Sequence, residues 1–167
     1  NNITRAEVAA IFFRLLTDEA RSTFMTDDCS FSDVAQGAWC RRSIATLTNA
    51  EIISGYTDGT FKPNAPITRA ELATIIARFA KLDVNTKTFS DINGHWAQKY
   101  IEQAAGNGWI DGYTDGTFRP NQNIKRAETF AMINRVLDRV TESNSDLLPT
   151  DQMNMWSDNM DFDAWYY

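Results

Sequence analysis

The pentapeptide Ile-Thr-Arg-Ala-Glu carries the residues of this sequence best suited to binding chemistry. It occurs at residues 3–7 and 67–71, and again at 124–128 with lysine in place of threonine. The Thr-x-x-Glu spacing is that of a capping box, so the arginine of each copy falls at the first position of a helix. These arginines are Arg5, Arg69 and Arg126. Because the helix dipole disfavours a cation there, stability alone does not explain the repeated arginine.

A guanidinium beside the free N–H groups of a helix start can hold a carboxylate in a two-pronged contact. The three arginines are therefore predicted to bind an anionic ligand. The alternative is an intramolecular ion pair with a neighbouring acid such as Asp33 or Asp91. On the binding interpretation, Arg69→Ala removes affinity and leaves the helix intact or slightly more stable, because a cation leaves the helix N-terminus.

Tryptophan, glycine and aspartate recur at matching positions of two long repeats. These candidates are Trp39 and Trp96, Gly55 and Gly112, and Asp33 and Asp91. The indoles either pack in the core or offer a flat face to a sugar. The glycines either permit a positive φ or let a ligand approach the backbone closely. The aspartates either cap the following helical turn or accept hydrogen bonds from sugar hydroxyls.

The composition narrows the function. With 16 Lys+Arg against 22 Asp+Glu the net charge is −6, whereas general nucleic-acid binding requires a basic face. The longest apolar run, residues 8–13, is far shorter than the roughly 20 residues of a membrane span. His95 is the only histidine, and the sequence has no catalytic, zinc, P-loop or calcium-loop motif. The sequence therefore predicts a protein that is not an enzyme and has no cofactor or metal site. It also predicts neither nucleic-acid binding nor membrane insertion.

An internal repeat organises most of the chain. Residues 37–61 and 94–118 both end in Gly-Tyr-Thr-Asp-Gly-Thr-Phe, and a pentapeptide follows each. Each repeat is predicted to hold an inner helix, such as residues 5–16, and a shorter helix at about 39–50 or 96–105. The Asp-Gly dipeptide of the loop favours a very short hairpin. The three inner helices are expected to lie together, because no single two-helix unit could cover its apolar face.

These motifs, in this order, resemble those of the S-layer homology family. Its units run approximately from Phe-x-Asp-Val through His-Trp-Ala and Gly-Tyr-x-Asp-Gly-Thr-Phe-x-Pro-Asn to Ile-Thr-Arg-Ala-Glu. The resemblance implies a mainly α fold, in which helix-loop-helix units pack around a pseudo-threefold central helix bundle with ligand grooves between units. It also implies tethering of exoproteins to secondary cell-wall polymers, often polysaccharides that carry a pyruvate ketal. The sequence departs from the pattern at Ala38, Cys40 and Lys125.

The resemblance divides the chain into four segments. Residues 1–30 hold the second half of one unit plus a linker, and residues 31–88 and 89–155 each hold a complete unit plus a linker. Residues 156–167 begin a further unit, with Trp156-Ser157-Asp158 and Trp165. The partial units indicate a piece of a longer polypeptide.

Cys29 and Cys40 are the only cysteines, and they form no Cys-x-x-Cys motif. In an extracellular protein a disulfide between them is one alternative, since it would staple the linker to a helix start. Two free thiols are the other alternative.

The leading functional hypothesis is an extracellular, non-catalytic anchoring module at the bacterial cell surface. The three arginines would bind an anionic secondary cell-wall polysaccharide, such as a pyruvylated one, while the tryptophans and glycine loops line the sugar. The alternative is a structural subunit or packing module of a bacterial surface array or filament, with other surface-layer subunits as partners. No motif supports a third class, a glycan-cleaving enzyme.

Overall fold

The computed structural model describes residues 1–80 and 85–138. Within them the chain forms six helices, α1 Arg5–Leu15, α2 Asp18–Phe24, α3 Arg41–Asn49, α4 Arg69–Ala80, α5 Gln98–Gly106 and α6 Arg126–Val136. This part of the chain has no strand, only isolated bridges between extended residues. The predicted mainly α fold is confirmed. The linker residues 81–84 and 139–155 and the predicted final unit, residues 156–167 with Trp165, lie outside the described residues.

The inner helices α1, α4 and α6 begin at the three repeated arginines, as the capping-box pattern predicts. The outer helices α3 and α5 begin two residues later than expected, because Trp39 and Trp96 each lie in a turn that precedes the first helical residue. The short helix α2 falls in a segment expected to be a linker. Its start is capped by Thr17, whose hydroxyl accepts a hydrogen bond from Ala20 N at 3.2 Å.

The capping boxes of the inner helices are not all complete. In α1, Glu7 N donates to Thr4 Oγ1 at 3.3 Å and Thr4 N donates to Glu7 Oε2 at 2.8 Å. The same pair of contacts recurs at the start of α4. In α6, Lys125 supplies no side-chain acceptor, and only the bond from Lys125 N to Glu128 Oε2, at 3.0 Å, remains. The third inner helix therefore has the weaker start that its lysine predicts.

Three isoleucines join the inner helices in a closed ring. Ile3 N donates to Ile124 O at 3.4 Å, Ile67 N to Ile3 O at 3.1 Å, and Ile124 N to Ile67 O at 3.0 Å. All three residues are fully buried. We call the three pentapeptides, with these isoleucines, the hub. Because each copy contacts the next and the third contacts the first, the hub has the pseudo-threefold arrangement that the resemblance implies.

The apolar faces of the inner helices are covered by the outer helices and by one another. Helix α3 packs on α1, α5 packs on α4, and α4 also contacts α6. The ring of Phe12 on α1 meets that of Phe79 on α4 edge to face, with centroids 5.1 Å apart. Ile75 and Ile133 are buried and Ile11 is partly buried. The predicted convergence of the inner helices is confirmed.

The Gly-Tyr-Thr-Asp-Gly-Thr-Phe loops form tight turns, and the predicted hairpin is wrong. In the first loop Tyr56 N donates to Thr60 O at 2.8 Å. The next two amides, of Phe61 and Lys62, donate to the carboxylate of Asp33 at 2.8 and 2.7 Å. Because a side chain takes these amides, no ladder of backbone hydrogen bonds continues beyond the turn.

Lys125→Thr is expected to raise the free energy of unfolding by about 0.5–2 kcal/mol, since threonine is a good N-cap and lysine is not. The backbone already suits the change, because Lys125 has φ −82° and ψ 154°, close to −88° and 159° at Thr4. Urea unfolding followed by circular dichroism measures the difference. The reverse variant Thr68→Lys should lose a comparable amount. Unchanged midpoints in both variants would contradict the capping argument.

Candidate functional site

Each repeated arginine forms an ion pair with a glutamate of the neighbouring pentapeptide in the hub. The pairs join Arg5 Nη1 to Glu71 Oε1 at 2.6 Å, Arg69 Nη1 to Glu128 Oε1 at 3.5 Å, and Arg126 Nη1 to Glu7 Oε1 at 2.6 Å. An intramolecular ion pair, the alternative considered from the sequence, is therefore present at all three arginines. Its partners are hub glutamates, however, and neither Asp33 nor Asp91.

Two of the three arginines are buried. Arg5 and Arg69 are 7% and 4% exposed, whereas the side chain of Arg126 is 45% exposed. Arg69 donates from Nε to Phe118 O at 2.9 Å and from Nη2 to Asp111 O at 2.7 Å. Arg5 makes the equivalent contacts with the loop of the first repeat, because its Nε donates to Phe61 O and its Nη2 donates to Ser54 O. Burial lowers the pKa of the Arg69 guanidinium.

These contacts overturn the expectation that Arg69→Ala would spare the fold. That expectation considered only the helix dipole. In the structure the substitution would also leave two loop carbonyls and the Glu128 carboxylate without their donor. Removing one partner of a buried charge pair costs far more than the small gain at the helix start. Arg69 is therefore a structural residue, whatever else it binds.

The surroundings of Arg5 and Arg69 differ in one hydrogen bond. The guanidinium of Arg5 lies over the Tyr56 ring, 4.7 Å from its centroid. The Tyr56 hydroxyl donates to Glu71 Oε1 at 2.6 Å. Burial is the larger cause and this hydrogen bond the next, and together they raise the pKa of Tyr56 to about 12. Tyr113 and Glu128 are the corresponding described residues beside Arg69, and no hydrogen bond joins them. Arg69 is therefore less tightly enclosed than Arg5.

An open groove of about 230 Å³ lies beside Arg69. We call it the Arg69 groove. Its polar and aromatic side chains are those of Arg69, Asp111, Tyr113, Glu128 and Arg135, and Gly112 also lines it. The side chain of Arg135 is 39% exposed and pairs with Asp111 at 3.1 Å. The groove therefore combines a buried guanidinium, an accessible guanidinium and a tyrosine ring. Such a set can bind an anionic group together with the apolar face of a sugar.

The predicted aspartates fix the loops. Asp91 accepts hydrogen bonds from Phe118 N and Arg119 N, both at 2.7 Å, as Asp33 does in the first repeat. Neither carboxylate caps the following helical turn, and that alternative is wrong. Each instead holds the loop whose carbonyls bind a buried arginine.

The predicted glycines are needed for packing. Neither Gly55 nor Gly112 has a positive φ, so that explanation is also wrong. A Cβ atom would lie 2.2 Å from a ring carbon of Phe31 at the first position and of Phe89 at the second. Glycine is required so that the ring can rest on the loop backbone. Gly112 additionally lines the Arg69 groove.

Trp39 and Trp96 face solvent, with exposures of 68% and 62%, so the core-packing interpretation is wrong. Neither lines the Arg69 groove. Trp39 lines a separate groove of about 630 Å³, together with residues of α1. The structure therefore does not bring the tryptophans together with the buried arginines.

Three further arginines that the sequence analysis did not select lie on the inner helices. They are Arg14, Arg78 and Arg135, each nine residues after a hub arginine. Arg14 lines the same groove as Trp39, and Arg135 lines the Arg69 groove. Their constant spacing in three copies of one repeat was the signal that could have found them.

Cys29 and Cys40 are not bridged in the structure. Cys40 is buried, and burial, with a smaller contribution from the nearby Cys29, raises the pKa of its thiol. Arg41 Nη2 donates to Cys29 O at 3.2 Å, so the linker does fold back on the start of α3. The disulfide itself stays a prediction.

Within residues 1–80 and 85–138, no group of three or more His, Cys, Asp and Glu side chains is placed to hold a metal ion. Nor is any helix of that part long and apolar enough to cross a membrane. His95 Nε2 lies 3.3 Å from Asn121 Oδ1 in an exposed contact.

A family model described as "S-layer homology domain" matches residues 30–73 and 88–130, which is more than half of the chain. The matched spans contain both loops, both outer helices and the starts of α4 and α6. The chain belongs to the S-layer homology domain family. The two matched spans confirm that the chain contains repeated units, and membership confirms the extracellular localisation at the bacterial cell surface. S-layer homology domains are themselves non-catalytic.

Longer proteins contain segments that are similar to this chain. The chain is 43% identical to a "Cellulosome-anchoring protein" of Acetivibrio thermocellus over 94% of this chain and 37% of the relative. It is 43% identical to "Cell surface glycoprotein 1" of the same organism, over 83% of this chain and 6% of the relative. It is 35% identical to an "Endoglucanase" of Bacillus sp. strain KSM-635, over 73% of this chain and 13% of the relative. The chain thus spans well under half the length of each of these relatives.

In this S-layer homology module, Arg69→Ala is expected to lower the free energy of unfolding by about 3 kcal/mol or more, since breaking a buried ion pair typically costs about 3–5 kcal/mol. Arg126→Ala removes an ion pair that is partly exposed, and should cost about 1 kcal/mol or less. Urea unfolding of the two variants measures the difference. Equal losses would contradict the distinction between the buried and the exposed hub arginine.

The stability of the hub is expected to fall in acid. Burial alone would raise the pKa of Glu7, but hydrogen bonds from Thr4 and the charge of Arg126 hold it below its ordinary value of 4.5. Because the folded pKa is the lower one, this stabilisation is fully present above the unfolded pKa and is lost as the pH falls through the folded pKa. Thermal unfolding from about pH 7 to about pH 3 measures the loss.

Glu7→Gln removes the titrating group, so its melting temperature should fall less steeply with acid than that of the wild type. The matched control is Glu19→Gln, at an exposed position of α2 outside the hub, and it should keep the wild-type slope. A wild-type slope in Glu7→Gln would show that the acid sensitivity arises elsewhere.

Proposed function

We propose that this S-layer homology module holds a larger protein at the bacterial cell surface by binding an anionic secondary cell-wall polysaccharide. The names of two relatives, a cellulosome-anchoring protein and a cell surface glycoprotein, support the anchoring part of the proposal. The small share of each relative that the chain covers fits a module carried by longer proteins. The polysaccharide part depends on the site itself.

The Arg69 groove is the observation that carries the proposal. A buried guanidinium and an accessible one both reach it, and its lining includes the tyrosine ring of the loop. The contact of Arg69 with Glu128 is long, at 3.5 Å, while its two carbonyl contacts are short. Since a guanidinium has five N–H donors, Arg69 retains donor capacity on the Glu128 side. A ligand carboxylate is the acceptor that such a fork binds best.

The anion must be recognised locally, because the chain as a whole carries a net charge of −6. Arg135 provides the adaptable part of this recognition. Its partner Asp111 is exposed, with 60% of its side chain accessible, and exposed pairs contribute little to stability. Arg135 can therefore exchange Asp111 for a ligand carboxylate at small cost.

A polysaccharide that carries a pyruvate ketal would present a carboxylate and a pyranose ring together. In the Arg69 groove the carboxylate would meet the two guanidinium groups, and the ring would lie against Tyr113 and the backbone of Gly112. Arg5 with Gly55 remains a candidate ligand contact elsewhere in the module, and Arg126 and Trp39 remain separate candidates. Asp33 and Asp91 act on the ligand through the loops that they hold. Trp96 is a candidate sugar platform on α5's side of the module.

A packing role in a surface array is the second candidate function. The described surface carries several exposed large apolar side chains, among them Met25, Trp39, Trp96 and Phe130. Exposed apolar groups of this size suit contacts between protein subunits. On this interpretation the partners are other surface-layer subunits, and the grooves bind no glycan.

A sedimentation assay with purified cell-wall sacculi tests the proposal. The wild-type module should pellet with intact sacculi and remain soluble with sacculi from which the secondary polymer has been extracted chemically. Arg135→Glu should lose about tenfold or more in affinity, since a charge-assisted contact is replaced by repulsion. Lys99→Glu, an equal charge change at an exposed position of α5, should bind like the wild type.

Two outcomes separate the candidates. Equal binding to intact and extracted sacculi would contradict polysaccharide binding. Concentration-dependent self-association in sedimentation velocity, without any binding to sacculi, would favour the array.

A further inference from the structure

Two Asn-Gly dipeptides lie in the second long repeat, at residues 93–94 and 107–108. In such a dipeptide the backbone nitrogen of the glycine can attack the side-chain amide carbon of the asparagine, because glycine has no side chain to hinder the approach. A five-membered succinimide forms and ammonia leaves. Water then opens the ring to aspartate or isoaspartate, so the net change is the uptake of water and the release of ammonia. The two asparagines have very different surroundings in the structure.

Asn93 lies at the tip of a tight turn before α5. His95 N donates to Ile92 O at 2.9 Å and closes the turn. Gly94 has φ 73° whereas Asn93 has no positive φ, as in a type II turn. Asn93 is exposed, and its side chain makes no hydrogen bond to any other described residue. Its amide carbon is therefore free to approach the neighbouring backbone.

One contact restrains the backbone nitrogen that would attack. Gly94 N donates to Gln98 Oε1 at 2.9 Å. Ring closure requires the peptide between Asn93 and Gly94 to rotate, and this rotation breaks the contact with Gln98. The cost is small, because the contact is exposed and can be replaced by water. The rotation also has space, since no atom beyond the chain neighbours lies within 4 Å of a Cβ placed on Gly94.

Asn107 also precedes a glycine, but it is held at the end of α5. Its side-chain amide donates to Gln103 O at 2.7 Å, and Gly108 N donates to Ala105 O at 3.0 Å. Rotation of the peptide between Asn107 and Gly108 would break the bond that ends the helix. It would also move Trp109, which is 8% exposed. The fold therefore protects the second dipeptide from the reaction.

The corresponding turn of the first repeat has a less reactive residue. At the repeat offset, Gln36 precedes Gly37 where the second repeat has Asn93. Ala38 N closes that turn on Ala35 O at 3.0 Å. A glutamine has to close a six-membered ring, which forms far more slowly than the five-membered one. Of the two corresponding turns, the one in the second repeat therefore carries the reactive dipeptide.

We propose that Asn93 is a spontaneous modification site, at which water converts asparagine to aspartate and isoaspartate without an enzyme. The inference is independent of the proposed polysaccharide binding. Isoaspartate lengthens the main chain by one carbon, next to the fully buried Ile92. Asp91, two residues before the site, holds the loop whose carbonyls bind Arg69. Modification is therefore expected to loosen the second repeat and to lower the stability of the module as it ages.

The test is incubation of the module in mildly alkaline buffer, followed by peptide mapping with mass spectrometry that separates asparagine, aspartate and isoaspartate. In the folded module Asn93 should react about tenfold or more faster than Asn107. In urea both dipeptides lose their contacts, so the two rates should agree within about threefold. Gln36 should stay intact in both conditions.

Melting temperatures test the consequence for stability. The aged wild-type module should melt at a lower temperature than the fresh one. Asn93→Gln should keep its initial melting temperature through the same incubation. The matched control Asn107→Gln should decline like the wild type, because it leaves the reactive dipeptide in place.

Three results would overturn the modification site. They are equal rates for Asn93 and Asn107 in the folded module, a rate difference of the same size in urea, and an Asn93 amide that stays intact while the unfolded module reacts. An equal decline of the melting temperature in Asn93→Gln and the wild type would overturn the expected loosening.

Discussion

The two carboxylate oxygens of each hub glutamate have different partners, one in its own helix start and one in a neighbouring unit. The fold depends on this division of the contacts. In Glu71, Oε2 accepts from Thr68 N at 2.9 Å and so caps its own helix, while Oε1 accepts from Arg5 Nη1 at 2.6 Å and so joins the neighbouring unit. Glu7 and Glu128 divide their oxygens in the same way. Because three carboxylates serve both the helix starts and the contacts between units, secondary and tertiary structure are coupled in the hub.

This coupling separates the residues that hold the module together from those that can vary. Arg69 binds two loop carbonyls and a hub glutamate, so any change there alters stability along with the groove beside it. Arg14 and Arg135 lie nine residues after the hub arginines of their helices and are exposed, so they contribute little to stability. One scaffold can therefore present different charges at its grooves, as is expected of a segment shared by an anchoring protein and an endoglucanase.

What the sequence predicted and what it missed follow from the range of the interactions. The starts of the three inner helices were predictable because a capping box is local, and the missing cap at Lys125 was predictable for the same reason. The glutamate partners of Arg5 and Arg69 were not predictable. The capping box already explained why each glutamate is present, and only the arrangement of the units in space decides which arginine pairs with which glutamate. The outward position of Trp39 was also missed, since a tryptophan beside an amphipathic helix usually packs in the core. Helix α2 was not predicted because it buries no residue and so has no apolar face, although Thr17 is a good N-cap residue at its start.

The contact between Arg126 and Glu7 joins residues 119 positions apart, and this separation shapes the order in which the module can form. Contacts at long sequence separation form late, because the entropy of loop closure opposes them until other contacts exist. A chain that is delivered N-terminus first, whether during synthesis or export, therefore carries an open ring until its third pentapeptide arrives. The third pentapeptide to appear completes the contacts of the first.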